Sequence, residues 1–133
     1  MKKQTVITTD APGEASSIAL LLENYYFKGI HDGDLIALQQ VYFPGALVFG
    51  DVKGVPYFKT LDQYFEGVRN RKSPKETGTA FKGEIIAIDI VNSIAVAEVM
   101  VKMYDFHYHE YLSFHNMEGQ WKIVNKMLTD ITI

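Results

Sequence analysis

EIIAIDIVNSIAVAEVMVKMYDFHYHEYLSFHNMEGQWKIVNKMLTD, residues 84–130, is the stretch on which the fold turns. β-Branched and aromatic residues crowd it, apolar and polar positions alternate, and no proline interrupts it, as in strands with one buried face. Asn92-Ser93, Asp105-Phe106 and Glu118-Gly119 each suit a two-residue hairpin loop, so four antiparallel strands form a meander. With those loops Val91 faces Ile94, Tyr104 faces His107 and Met117 faces Gln120, and every other cross-strand pair follows by counting. One face then collects the alternate residues of 86–90 and 95–103, followed by Leu112, Phe114, Trp121, Ile123 and Met127. The other mixes Ile85, Met100, Tyr111, Val124 and Leu128 with Glu98, Lys102, His107, His109, Lys126 and Asp130. The first face must meet helices. The second is too apolar for plain exposure, and a symmetric homodimer through it is expected.

The residues before this stretch supply the helices. Ile18, Leu21, Leu22 and Tyr25 recur at three and four, after Asp10 and Pro12, predicting a helix over 17–30. Gly33 stops it and Asp34 caps a second helix over 35–42, ending before Pro44. A strand is expected over 46–51 and a turn over 51–56 with Gly54 at its tip. Thr60 and Gln63 are spaced as a capping box for a third helix, whose stripe is Leu61, Tyr64, Phe65 and Val68. Arg69, Arg71, Lys72 and Lys75 gather at its C-terminal end and beyond, where cations oppose the helix dipole. That structural role is expected ahead of anion binding. Together the elements make one α+β domain over 1–133, helices packed on a curved antiparallel sheet.

Composition narrows the functions. The 133 residues are 47% hydrophobic, enough for one core, and carry a formal charge of -3, which gives nucleic acid no basic footprint. No apolar run reaches bilayer length, and residues 1–10 have two lysines and polar and β-branched residues in place of an apolar signal core. Neither a membrane nor nucleic acid is expected as a partner, and the expected location is the cytoplasm. Zero cysteines exclude disulfides, thiolate catalysis and Cys-ligated zinc.

Three stretches carry a family resemblance: Tyr25-Tyr26-Phe27-Lys28-Gly29 with Gly33-Asp34, then Glu110-Tyr111-Leu112-Ser113, and Gly119-Gln120-Trp121-Lys122-Ile123-Val124-Asn125-Lys126. With the order helix, short helix, strand, helix and meander, the chain resembles the NTF2-like proteins, and within them the putative lumazine-binding family of small bacterial proteins. The resemblance implies a cone-shaped, cystatin-like α+β fold with a cavity between helices and sheet. It leaves function open, because NTF2-like domains host binders, SnoaL-like and ketosteroid-isomerase-like enzymes, and pure dimerisation modules. Many relatives carry Asp where this chain has Glu110. The repeated barrel signatures of riboflavin-synthase-type lumazine binders are missing, so lumazine is an implication of the family's name alone.

Counting the strands also nominates a site. Glu84 and Glu110 both fall opposite Val101 on the inner face, and Lys82 and Tyr108 opposite Met103, which gathers polar groups at one end of an apolar floor. Two strand spacings put the glutamate backbones about 10 Å apart, the width of a pocket mouth. Desolvation would make either carboxyl a general acid or base unless Lys82 pairs with it; alternatively both turn to the rim as solvated groups. Catalytic residues thus remain open between Glu110, the first candidate, and Glu84. Asn125 either orients a ligand or satisfies backbone groups, and Tyr25, Phe49, Tyr64 and Trp121 are candidate walls, Tyr57 a weaker one. The ligand expected is small and aromatic or apolar, bound without a cofactor.

His107 and His109 share one face of a strand, as in cupin metal sites, but Ser113 stands where a ligating Glu would be needed. His115 lies about 20 Å from His109 at strand rise and cannot complete the set. No metal site is expected. His107 faces Asp130 in this register, as an ion pair.

Overall fold

The computed structural model describes residues 13–132 and the strand at 3–6. Strand β1 (Lys3–Val6) is followed by α1 (Glu14–Leu21), a π-helical segment (Leu22–Phe27) and α2 (Lys28–Asp32), which run end to end. Gly33, at φ 70°, ends α2 in the left-handed conformation that glycine adopts without strain. Asp34 caps α3 (Leu35–Val41) by accepting the Ala37 N–H. Then come β2 (Tyr42–Val52), β3 (Val55–Thr60), α4 (Leu61–Asn70), α5 (Pro74–Thr77), β4 (Lys82–Val91), β5 (Ile94–Met103), β6 (Phe106–Met117) and β7 (Gln120–Asp130). The capping box of Thr60 and Gln63 is formed, and Leu61, Tyr64, Phe65 and Val68 are all buried.

The strands lie in one curved, unclosed sheet in the order β1-β4-β5-β6-β7-β2-β3, antiparallel except for the parallel β2·β7 pair. Helices cover one face, where Ile18, Leu22, Ile30 and Leu38 meet Ile88, Val99, Leu112 and Ile123. The architecture is the expected α+β arrangement. Strands β1 and β3 and helix α5 go beyond the sequence reading; Pro56 suggested only a turn, but β3 lies at the sheet edge, where proline is tolerated. The helix start read at Asp10 and Pro12, and most of the segment judged to lack a signal core, lie outside the described residues.

The register departs from simple counting in three places. The β5–β6 loop is Tyr104-Asp105, so Met103 faces Phe106. Tyr104 accepts φ 52° there, its hydroxyl donates to the Lys72 carbonyl, and Phe106 stacks on Tyr108 at 5.3 Å. The slip moves every partner by two and preserves faces, so Glu110 faces Val99 instead of Val101 and still points inward. In β4 a bulge at Ile86 reverses the faces of the residues before it: Glu84 faces Met100, Lys82 faces Lys102, and Ile85 turns inward. Gly83 then faces the helices, and a Cβ on it would lie 2.4 Å from the Phe27 ring, so the bulge brings the one residue without a side chain under that ring. In β7 a bulge at Val124 turns Lys126 and Leu128 inward and exposes Met127.

Candidate functional site

The buried polar centre lies where β6, β7, the π-helical segment and α4 meet. Glu110 points inward from β6 and is 1% exposed. The Tyr26 hydroxyl donates to its Oε1, while Lys126 Nζ stands 3.6 Å from its Oε2 and donates to the Tyr64 hydroxyl at 3.1 Å. Lys126 also lies over the Tyr64 and Tyr26 rings, 4.6 and 5.2 Å from their centroids, a cation–π setting for a desolvated ammonium. The wide π-helical turn carries the buried stripe one residue forward, so Tyr26 is buried and Tyr25 is partly exposed.

Beside this network is a cavity of about 260 Å³. Ile30, Val52, Met103 and Leu128 form its apolar walls, and Tyr57, Tyr64, Tyr108, Arg71, Glu110 and Lys126 bring polar groups to it. Burial pushes the Tyr26 phenol well above its ordinary range, and the adjacent Glu110 charge pushes it further. Burial likewise raises Tyr57 and, despite the opposing pull of Arg71, Tyr108. For Lys126, burial works to lower the pKa, but the Glu110 charge and Tyr64 outweigh it and the ammonium is held above its ordinary range. Hydroxyls that stay protonated and an ammonium that stays charged make the cavity rich in hydrogen-bond donors.

Of the residues the sequence nominated, Glu110, Tyr64 and Tyr108 come together here, with Tyr57. Lys82 and Glu84 do not: they pair with each other at 3.7 Å on the exposed outer face, because the β4 bulge turned them there. Phe49 is also on the outer face, stacked on Phe58 at 4.7 Å. Tyr25 and Trp121 line a separate groove with Gln40 and Lys122. Asn125 pairs with Ser113 and Leu47 outside the cavity, displaced by the β7 bulge. Counting does not reach Lys126 or Tyr26, and the helix-dipole role expected of Arg71 gives way to a place on the cavity wall. The adjacent branched residues Ile85-Ile86 and Ile123-Val124, which break alternation, were the visible signal of the bulges.

The histidines lie elsewhere. His107 meets Asp130 through its backbone N–H at 3.1 Å, not through its imidazole, because the register pairs Tyr108 with Asp130. His109 bonds Glu98 at 2.7 Å. Among the described residues no group of three or more histidines and carboxylates is placed to hold a metal, and no helix is long and apolar enough to cross a membrane.

Among the described residues seven strands bear helices on one face, with a cavity between the layers, and this defines an NTF2-like α+β protein. An NTF2-like protein of unknown function from Shewanella baltica OS155 superposes with TM-score 0.75 at 21% identity, over 90% of this chain and 98% of its own. One from Silicibacter pomeroyi DSS-3 gives 0.76 at 21%, over 90% and 99%. The S. rosetta CaMKII hub gives 0.67 at 16% identity, over 90% and 98%. No curated protein matches the chain significantly by sequence. The model of the family described as putative lumazine-binding matches residues 14–129, and the chain belongs to that family.

Proposed function

We propose that this protein binds a small molecule in the cavity between its helices and its sheet. The observation that carries this is the convergence of Glu110, Lys126 and the Tyr57, Tyr64 and Tyr108 hydroxyls on a 260 Å³ space with otherwise apolar walls. Ligand sites combine such walls with a few fixed polar groups. The family's description supports a small ligand. Acid–base catalysis is the second reading, and it calls for an unpaired acid, whereas Glu110 takes the Tyr26 hydroxyl on one oxygen and Lys126 on the other. We further infer a homodimer through the outer sheet face, supported by the exposed apolar residues there.

Density in crystals of freshly purified protein, with native mass spectrometry of the same sample, tests the binding reading. A retained molecule between Tyr108, Leu128 and Lys126 is expected, and Leu128→Trp, which fills the space, should abolish retention. A molecule held in the groove beside Trp121 instead, or one unaffected by Leu128→Trp, refutes it. Glu110→Gln, with circular dichroism checking that the chain still folds once Lys126 has lost its carboxylate, separates the two readings: a binder loses affinity, whereas an enzyme loses turnover and keeps its ligand.

A further inference from the structure

Arg71 follows α4 in extended conformation, with φ -100° and ψ 157°, and its side chain reaches the cavity. It therefore parts company with its basic neighbours, of which Arg69 pairs with Glu66 at 2.8 Å and Lys75 stands 4.0 Å from Asp32. Its guanidinium carbon stands 5.8 Å from the Tyr104 ring centroid, and its Nε and Nη2 atoms are buried with no hydrogen-bond partner among the described residues. Buried donors without partners are rare in folded proteins. These two belong to one edge of the guanidinium, whose parallel N–H groups match the two oxygens of a carboxylate.

From this edge we infer that the ligand is a small organic carboxylate, seated on the Nε and Nη2 atoms of Arg71 with its apolar body against Ile30, Met103 and Leu128. The inference rests on the cavity being a ligand site. Charge balance supports it. Glu110 is matched by Lys126 at 3.6 Å and Asp130 by Lys53 at 3.7 Å, while Arg71 has no carboxylate within ion-pair distance among the described residues. The cavity thus carries one positive charge in excess, the complement of a monoanion; a phosphate dianion would want a second free cation, and Lys126 is committed. The Tyr57 and Tyr108 hydroxyls line the same space and are donors, held protonated by burial. Size sets the scale. At about 30 Å³ per water, 260 Å³ holds roughly nine waters, or a ligand of about nine non-hydrogen atoms.

Benzoate has that size, and benzamide is its neutral counterpart of similar shape. Calorimetric titration of the full chain with benzoate, benzamide and inorganic phosphate is the test, with NMR shifts at Tyr108 and Leu128 locating the site. Benzoate is expected to bind about 10- to 100-fold tighter than benzamide, the range for hydrogen bonds to charged groups. Arg71→Gln should remove that preference, and Arg71→Lys, which keeps the charge but not the paired N–H edge, should leave an intermediate one; circular dichroism checks that both fold. Equal binding of benzoate and benzamide, preference for phosphate, or benzoate affinity unchanged in Arg71→Gln overturns the carboxylate assignment while the cavity remains a ligand site. No binding of any probe also overturns it. An empty cavity in crystals of freshly purified protein, with nothing retained by mass spectrometry, removes the ligand site itself.

Discussion

Glu110, 1% exposed, and Lys126, 4% exposed, lie in the same apolar interior, 3.6 Å apart. Neither charge is tolerable there alone, because desolvation of an unpaired ion far exceeds what packing returns. Lys126→Met should therefore destabilise the fold by about 3–5 kcal/mol, and Glu110→Leu in the same background should recover much of that, as read by urea denaturation. Additive losses in the double variant would show that the two groups are not coupled. The same network sets the alkaline limit. Lys126 and Tyr26 both have pKa values raised in the folded state, above ordinary values of 10.5 and 10.0. A raised group contributes stability in full below its unfolded pKa and loses it as pH climbs toward the folded one. Unfolding free energy should thus stay level to about pH 9.5 and fall above pH 10. Tyr26→Phe, which cannot ionise, should make that fall shallower. Glu110 could be placed from sequence because a hairpin slip of two preserves faces. Lys126 could not, because one extra residue in β7 reverses them.

Between β2 and β7 the parallel pairing depends on a residue without a side chain. Gly50 faces Leu128 at φ 146°, and a Cβ there would lie 1.7 Å from the Leu128 carbonyl oxygen. Gly67, inside α4, has nothing within 4 Å of the same position. Gly50→Ala should cost about 2 kcal/mol or more through strain and a displaced strand, whereas Gly67→Ala should stabilise by roughly 0.5–1 kcal/mol through helix propensity. Chemical denaturation of both variants checks the opposite signs; a neutral Gly50→Ala would mean that β2 shifts freely against β7. Elements were legible wherever local chemistry set them: Gly33 and Asp34 between helices, the Thr60–Gln63 box, the Glu118-Gly119 turn. Strict counting passes over the π-helical segment and the bulges at Ile86 and Val124, each a one-residue offset; the bulges leave only a local break in alternation as their mark in the sequence. These offsets took Glu84, Lys82 and Asn125 out of the site and brought Tyr26 and Lys126 in. The architecture was therefore readable while half of the site was not.

Across the whole molecule, the outer face of the sheet is where surface chemistry and fold disagree most. Glu98, Tyr111, Met127, Phe49 and Phe58 form one row across β5, β6, β7, β2 and β3, each facing the next. The last four are exposed, Phe58 by 60%. Helices occupy the other side, so among the described residues no element is placed to cover the row. An isologous contact would, because each copy offers the other the same apolar patch. Stable dimers bury about 800 Å² per partner, an area that side chains on five adjacent strands can supply. Light scattering should give twice the 15.1 kDa chain mass at micromolar concentration. Met127→Glu, in the middle of the row, would put a carboxylate into a desolvated contact in both copies at once and should yield a monomer. Its melting temperature at low protein concentration should hardly change, because Met127 points away from the helix-covered core. A wild-type chain that is monomeric at these concentrations refutes the dimer. A dimer that survives both Met127→Glu and Tyr111→Lys must form elsewhere, and the exposed row would then need a partner other than a second copy.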